Sequence, residues 1–170
     1  MKKYFICICL VLSLNVFAKD YSVKSGQAEY TVKHLVKTVK GVSKEIKGKI
    51  SCSEKGECDF LVAIPVKSFI SSDSNRDLNM QTILEISKYP LVTVKGKISE
   101  DNFFKSKTSL NVLVSFHGVE KEYSVDLSGG KTQKGQLKVL LEQHNIERPS
   151  LLTVKIDNEV PIDFQIDWTE

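Results

Sequence analysis

Apolar residues recur at every second position along most of this chain, and no other feature restricts its fold so strongly. Ala28, Tyr30, Val32, His34 and Val36 share one parity, as do Phe60, Val62, Ile64 and Val66. The pattern returns in Leu110, Val112, Val114 and Phe116, in Tyr123, Val125 and Leu127, and in Leu137, Val139 and Leu141. Val160, Ile162, Phe164, Ile166 and Trp168 close it. Lys, Glu, Ser, Asn and Asp dominate the opposite parity. Side chains alternate between the two faces of a strand, so each run has one buried and one solvated face, as in antiparallel sheets. Turn chemistry separates the runs at Lys55-Gly56, His117-Gly118, Ser128-Gly129-Gly130 and Asp157-Asn158. Roughly eight to ten such strands predict an all-β domain, either a sandwich or a closed barrel. The large aliphatic and aromatic side chains on the inward parity favour a barrel hollow enough for one small ligand.

One stretch breaks the period. In "SNRDLNMQTILEISKYP" (residues 74–90), Met80, Ile83 and Leu84 fall at the i, i+3, i+4 spacing of a helix face. Ser74 is the expected N-cap, with Asp77 three residues on as its capping-box partner. Pro90 forces Tyr89 into an extended conformation, so the helix ends before it. A helix of about ten residues does not stand alone in water. It is therefore expected across one end of the barrel, with Met80, Ile83 and Leu84 facing inward.

Residues 1–18 read as a secretory signal peptide. Lys2 and Lys3 precede the apolar run Tyr4–Val16, and Val16-Phe17-Ala18 supplies the small-residue cleavage pattern. The run is too short to span a bilayer, and Cys7 and Cys9 would leave with it. Residues 19–170 then form one domain, soluble and exported, with the periplasm as the expected location. Without Lys2 and Lys3 the formal net charge falls from +3 to +1, which leaves no electrostatic footprint for nucleic acid.

Cys52 and Cys58 remain, with five residues between them around Lys55-Gly56. That is hairpin-loop length, and an oxidising compartment should close a disulfide across it. So small a loop credits the bridge with only about 2 kcal/mol.

Catalytic patterns are sparse. Gly130-Lys131-Thr132 resembles the end of a phosphate-binding loop, but Val125 stands where that loop needs glycine. Asn75-Arg76-Asp77 lacks the rest of a kinase set. No G-x-S-x-G occurs, and His34, His117 and His144 form no metal-binding spacing. His117 has outward parity and His144 lies in a polar stretch, so both are expected at the surface. His34 shares parity with Tyr30 and Val32; it is either a hydrogen-bonded core residue or a polar contact at a cavity mouth. No enzyme activity, cofactor or metal is expected.

Several stretches together resemble the YceI-like family of exported, lipocalin-like proteins that bind polyisoprenoids. "YTVKHLVKTVKG" (30–41) is similar to its opening strand, although Lys37 stands where many members carry a second His. In "FISSDSNRDLNMQTILEISKYPLVTVKGKI" (69–98), Phe69, Asn75-Arg76-Asp77, Met80 and Tyr89-Pro90 follow the family's order and spacing. "VSFHGVEKEYSVDLSG" (114–129) resembles its Gly-Val-x-Lys hairpin and "IERPSLLTVKIDNEVPI" (146–162) its closing segment. The resemblance implies a single extended antiparallel β-barrel with a short helix covering one end. A long pore through it takes the tail of an isoprenoid, quinone-like or fatty lipid.

The inward parity supplies the expected lining. It comprises Val32, Phe60, Val62, Ile64, Val94, Val112, Val114, Phe116, Val125 and Leu127, then Val139, Leu141, Phe164 and Ile166. Phe69 and the helical Met80, Ile83 and Leu84 join it, with Tyr30 and His34 as polar groups at the mouth. Each buried methylene is worth about 0.8 kcal/mol, so a long tail needs only an apolar tube. The leading expectation is a periplasmic binding or carrier protein for such a lipid, with room for transient contact with a membrane or membrane protein. The alternative is a secreted interaction module whose barrel is packed solid and whose outer surface binds a protein partner.

Overall fold

The computed structural model describes residues 19–34, 37–151 and 153–170. The expected leader, residues 1–18, and Val36 lie outside the described residues. Among the described residues eleven strands, two short helices and two 3-10 turns follow one another. The first half of the chain contributes β1 (Lys19–His34), β2 (Lys37–Ser43), β3 (Lys47–Cys52), β4 (Glu57–Pro65) and a 3-10 turn at Val66–Ser68. Then come α1 (Ser74–Ile83), β5 (Leu91–Ser99), α2 (Glu100–Phe103), β6 (Lys107–Phe116) and β7 (Val119–Ser128). The last part holds β8 (Thr132–Leu140), a 3-10 turn at Leu141–His144, β9 (Ser150–Leu151), β10 (Val154–Lys155) and β11 (Glu159–Thr169).

Eight of these strands close an antiparallel barrel in the order β1-β3-β4-β5-β6-β7-β8-β11 and back to β1. The long β1 makes closure possible. One edge pairs with β11 from Ser22↔Thr169 to Tyr30↔Ile162. The other pairs first with β3 (Lys19↔Cys52 to Ser22↔Lys49) and then with β2 (Ala28↔Ser43 to His34↔Lys37). A register shift between Val23 and Ser25 adds one residue. It lets Tyr21, 3% exposed, and Ala28, 0% exposed, both face inward despite opposite parity.

One end of the barrel is plugged. There the Cys52–Cys58 disulfide joins directly opposed residues of β3 and β4. Beside it α2, capped by the Ser99 hydroxyl, drives Phe103 into the core, where it is 2% exposed. Phe103 meets Phe104 and Trp168 edge-on, with centroids 5.1 and 5.6 Å away. The buried Gln133 carboxamide donates to the Phe103 carbonyl at 2.7 Å and accepts from Trp168 Nε1 at 3.1 Å. Burying such aromatic side chains stabilises by roughly 1.5–3 kcal/mol each.

The opposite end carries α1 and residues 141–151 and 153–158. Asp73, rather than the expected Ser74, caps α1: its carboxylate accepts from the backbone N–H groups of Asn75 (3.0 Å) and Arg76 (3.2 Å). Asp77 does not form a capping box. Its buried carboxylate accepts from Ser71 N–H at 3.1 and 3.0 Å and ties the incoming loop to the helix. An aspartate one residue before Ser74 has the stronger, charged acceptor for the helix's positive end. No helix among the described residues is long and apolar enough to cross a membrane.

Candidate functional site

The barrel is not packed solid. A cavity of about 450 Å³ runs from the aromatic plug to α1 and is lined almost wholly by apolar side chains. Phe103, Gln133 and Trp168, all at most 5% exposed, form its floor. The lining residues open to solvent are Asn79 and Ile83 on α1 and Pro149 in the facing segment. The mouth therefore lies between α1 and the facing residues Ile146, Pro149 and Ile156.

Every predicted apolar lining residue except Val114 borders this cavity, and so does Tyr30. Val114 is fully enclosed within the packed core and does not reach the open space. Met80, Ile83 and Leu84 turn toward the cavity from the helix, although Ile83 stays 37% exposed at the rim.

His34 does not line the cavity. Its Nε2 donates to the Val154 carbonyl at 3.1 Å and pins β10 to the end of β1, while its buried Nδ1 has no partner among the described residues. His117 and His144 are not surface groups either. His144 is fully buried. Its Nδ1–H is shared between the Phe116 and Val119 carbonyls, each 3.1 Å away, which leaves Nε2 to accept from the Tyr123 hydroxyl at 2.9 Å. Burial depresses the His144 pKa. His117 Nδ1 donates to the His144 carbonyl, and its Nε2 lies 3.1 Å from Glu85. The Tyr89 ring stacks edge-on against His117 at 4.8 Å. These contacts clasp the chain after α1 to the β6–β7 turn. Glu85, His117 and Asn145 all have left-handed backbones there (φ 44°, 50° and 55°), which non-glycine residues adopt only where the surroundings enforce it.

Periodicity did not reveal the polar groups of the lining. Arg76 and Asn79 reach the mouth from α1, and Gln133 sits at the floor. Arg76 is lightly held: Nη2 lies 3.3 Å from Asp73 and Nη1 3.4 Å from the Ser71 hydroxyl. The Tyr30 ring packs against Phe69 and over Gly41, where a Cβ would come within 2.4 Å of it. Burial, first, and Asp77 raise the Tyr30 pKa, and Arg76 opposes them. Among the described residues no cluster of His, Cys, Asp or Glu is arranged to hold a metal ion.

A closed eight-stranded antiparallel barrel with an apolar interior, a plugged floor and a helix at its mouth defines a lipocalin-like fold. Comparison with solved structures makes this specific: the chain has the YceI-like fold. A polyisoprenoid-binding domain from Saccharophagus degradans implicated in plant cell wall breakdown superposes with a TM-score of 0.64 at 14% identity, covering 87% of this chain and 96% of that one. Burkholderia cenocepacia BcnA gives 0.69 at 17% identity over 85% and 96%. The Campylobacter jejuni YceI protein gives 0.53 at 16% identity over 100% and 99%. No protein-family model matches the chain, and no curated protein does.

Proposed function

We propose that this protein binds a lipid with a long apolar tail, of polyisoprenoid or quinone-like kind, and carries it in the barrel without catalysing a reaction on it. The observation that carries this reading is the cavity of about 450 Å³, enclosed along the barrel and lined by aliphatic and aromatic side chains. Its size falls within the range of roughly 300–1,000 Å³ typical of small-molecule sites. A tail held there leaves water at about 0.8 kcal/mol per methylene, which suits a carrier moving an insoluble molecule through an aqueous compartment. The similarity in fold to a polyisoprenoid-binding domain supports the ligand class. The leader-like residues 1–18 and the Cys52–Cys58 bridge support export to the periplasm.

Organic extraction of the purified protein followed by mass spectrometry tests the proposal. A stoichiometric long-chain lipid is expected, and polyprenyl or quinone ligands added to stripped protein should raise its melting temperature. Absence of both effects overturns it.

A further inference from the structure

Six large apolar side chains are exposed among the described residues, and five of them gather at the mouth end of the barrel. Ile70 follows Phe69 of the lining, in the loop that Ser71 and Asp77 tie to α1. Leu78 and Ile83 lie on α1 itself. Leu91 opens β5 opposite Pro65, the last residue of β4, and Val154 in β10 is held to the end of β1 by His34. Leu61 alone lies apart, on the barrel wall between Lys49 and Lys95.

The outer side of α1 is unusual for a surface helix. Arg76, Met80 and Ile83 turn toward the cavity, and at about 100° per residue Leu78 stands on the opposite side, 59% exposed. Its companions there, Ser74, Asn75 and Thr82, are exposed and uncharged. The solvent face of such a helix normally carries charges; this one surrounds an exposed leucine with small neutral groups.

Long-range attraction does not choose the partner, because the charges of this end nearly balance. Asp73 pairs with Arg76, Glu142 with Arg148 and Glu85 with His117, while Asp77 is buried against the Ser71 N–H. Lys33, Lys37, Lys67, Lys88 and Lys155 are exposed, as are Glu147 and Asp157. On the adjoining wall Lys95–Glu120 and Lys138–Glu159 form ion pairs, and Lys121 and Glu122 offset each other. Most carboxylates are thus held in the protein's own contacts, whereas the lysines are free to lay their stems along apolar surface and keep their ammonium groups in a polar layer.

What covers the patch follows from the cargo. A long tail is driven out of water by every methylene it carries, so its free aqueous concentration is negligible. A tube that opens in the middle of an apolar patch fills by touching the phase that dissolves the tail. Building on the lipid-binding reading above, we propose that the mouth end is a bilayer-docking face. Ile70, Leu78, Ile83, Leu91 and Val154 enter the interfacial layer of a phospholipid membrane, the surrounding lysines meet its phosphates, and the cavity then opens directly onto the lipid.

The test uses the full mature chain and vesicles of phosphatidylethanolamine and phosphatidylglycerol. Flotation is expected to carry the wild type up with the vesicles. Leu78→Gln, which keeps a good helix former, combined with Val154→Thr should weaken vesicle binding roughly tenfold. Leu61→Gln, an equal loss of apolar surface on the barrel wall, should leave it unchanged. None of these side chains lines the cavity, so affinity for a soluble fluorescent aliphatic probe should be the same in all. Transfer of a prenylated benzoquinone from vesicles into stripped protein should quicken in proportion to vesicle concentration, and slow in the double variant but not in Leu61→Gln. A wild type that stays off the vesicles overturns the inference. So does a Leu61→Gln variant that weakens vesicle binding as much as the double variant, or a transfer rate independent of vesicle concentration; in these cases probe binding keeps the tail-binding reading standing. A protein that takes up neither probe nor quinone loses both readings.

Discussion

The hydroxyl of Tyr123 donates to Nε2 of the fully buried His144 across 2.9 Å, and in the same position it accepts from the Leu140 N–H at 3.4 Å. The hydroxyl thereby replaces a missing piece of sheet. The β7–β8 ladder consists of Leu127↔Gly135 and Ser128↔Lys134, so toward the mouth a side chain joins the two strands where backbone pairing has stopped. Tyr123→Phe removes both bonds and leaves a buried imidazole nitrogen unpaired. It should lower stability by about 1–3 kcal/mol, measured by urea unfolding, and increase hydrogen exchange at Leu140. A change below a few tenths of a kcal/mol would show that the seam does not depend on this hydroxyl.

The same histidine sets a pH dependence. Burial depresses its folded pKa below the ordinary value near 6.5, so the unfolded chain binds the extra proton first. Its contribution to stability is complete above about pH 6.5 and is lost as pH falls through that value toward the folded pKa. Thermal unfolding between pH 7.5 and 5 should show a falling melting temperature, with the slope reduced in His144→Gln. An identical slope in the variant would assign the dependence to other groups.

The barrel and the end-on helix were legible because half-buried strands write their period directly into the sequence, and Pro90 and the Met80–Ile83–Leu84 spacing mark a helix. Three features escaped for physical reasons. The first nine residues of β1 were hidden by the shift between Val23 and Ser25, which reverses parity within one strand. Phe103 lies in the four-residue α2, too short for any period. His144 is fully buried and His117 half-buried through turn geometry and carbonyl partners, and a polarity scale reads such residues as solvated. Polar groups at the mouth were expected at Tyr30 and His34; Tyr30 borders the cavity, His34 does not, and Arg76 and Asn79 join Tyr30 because α1 is turned by its apolar face and brings those neighbours with it.

Val112 is 4% exposed and borders the cavity from β6. In a solid barrel Val112→Trp would overpack and destabilise by about 1–3 kcal/mol. In a hollow one the indole enters open space. The variant should keep a melting temperature within a few degrees of wild type, in line with the usual 1 kcal/mol equivalence, while its lipid content drops sharply. A folded variant that still carries full lipid would place the ligand elsewhere.

The disulfide lies at the plugged end, opposite the mouth, and closes a loop with a sequence separation of 6. Replacing Cys52 and Cys58 together by Ala should therefore cost about 2 kcal/mol in chemical unfolding and leave ligand affinity within twofold. A large loss of affinity would mean that the floor and the mouth are coupled through the barrel.

Gly41 and Tyr30 are opposed residues of β2 and β1, and the phenol ring lies flat where a Cβ on residue 41 would stand, 2.4 Å from its edge and 2.6 Å from its hydroxyl. Only glycine permits this approach, and the approach fixes where the hydroxyl faces the cavity. Gly41→Ala should push the ring off the strand, costing about 1–3 kcal/mol by overpacking and changing the near-ultraviolet circular dichroism. In a Tyr30→Leu background the same substitution should be nearly neutral, so a double-mutant cycle yields a coupling energy of about 1 kcal/mol or more. Additive effects would mean that Gly41 is required by the backbone alone, and that something other than this close contact orients Tyr30.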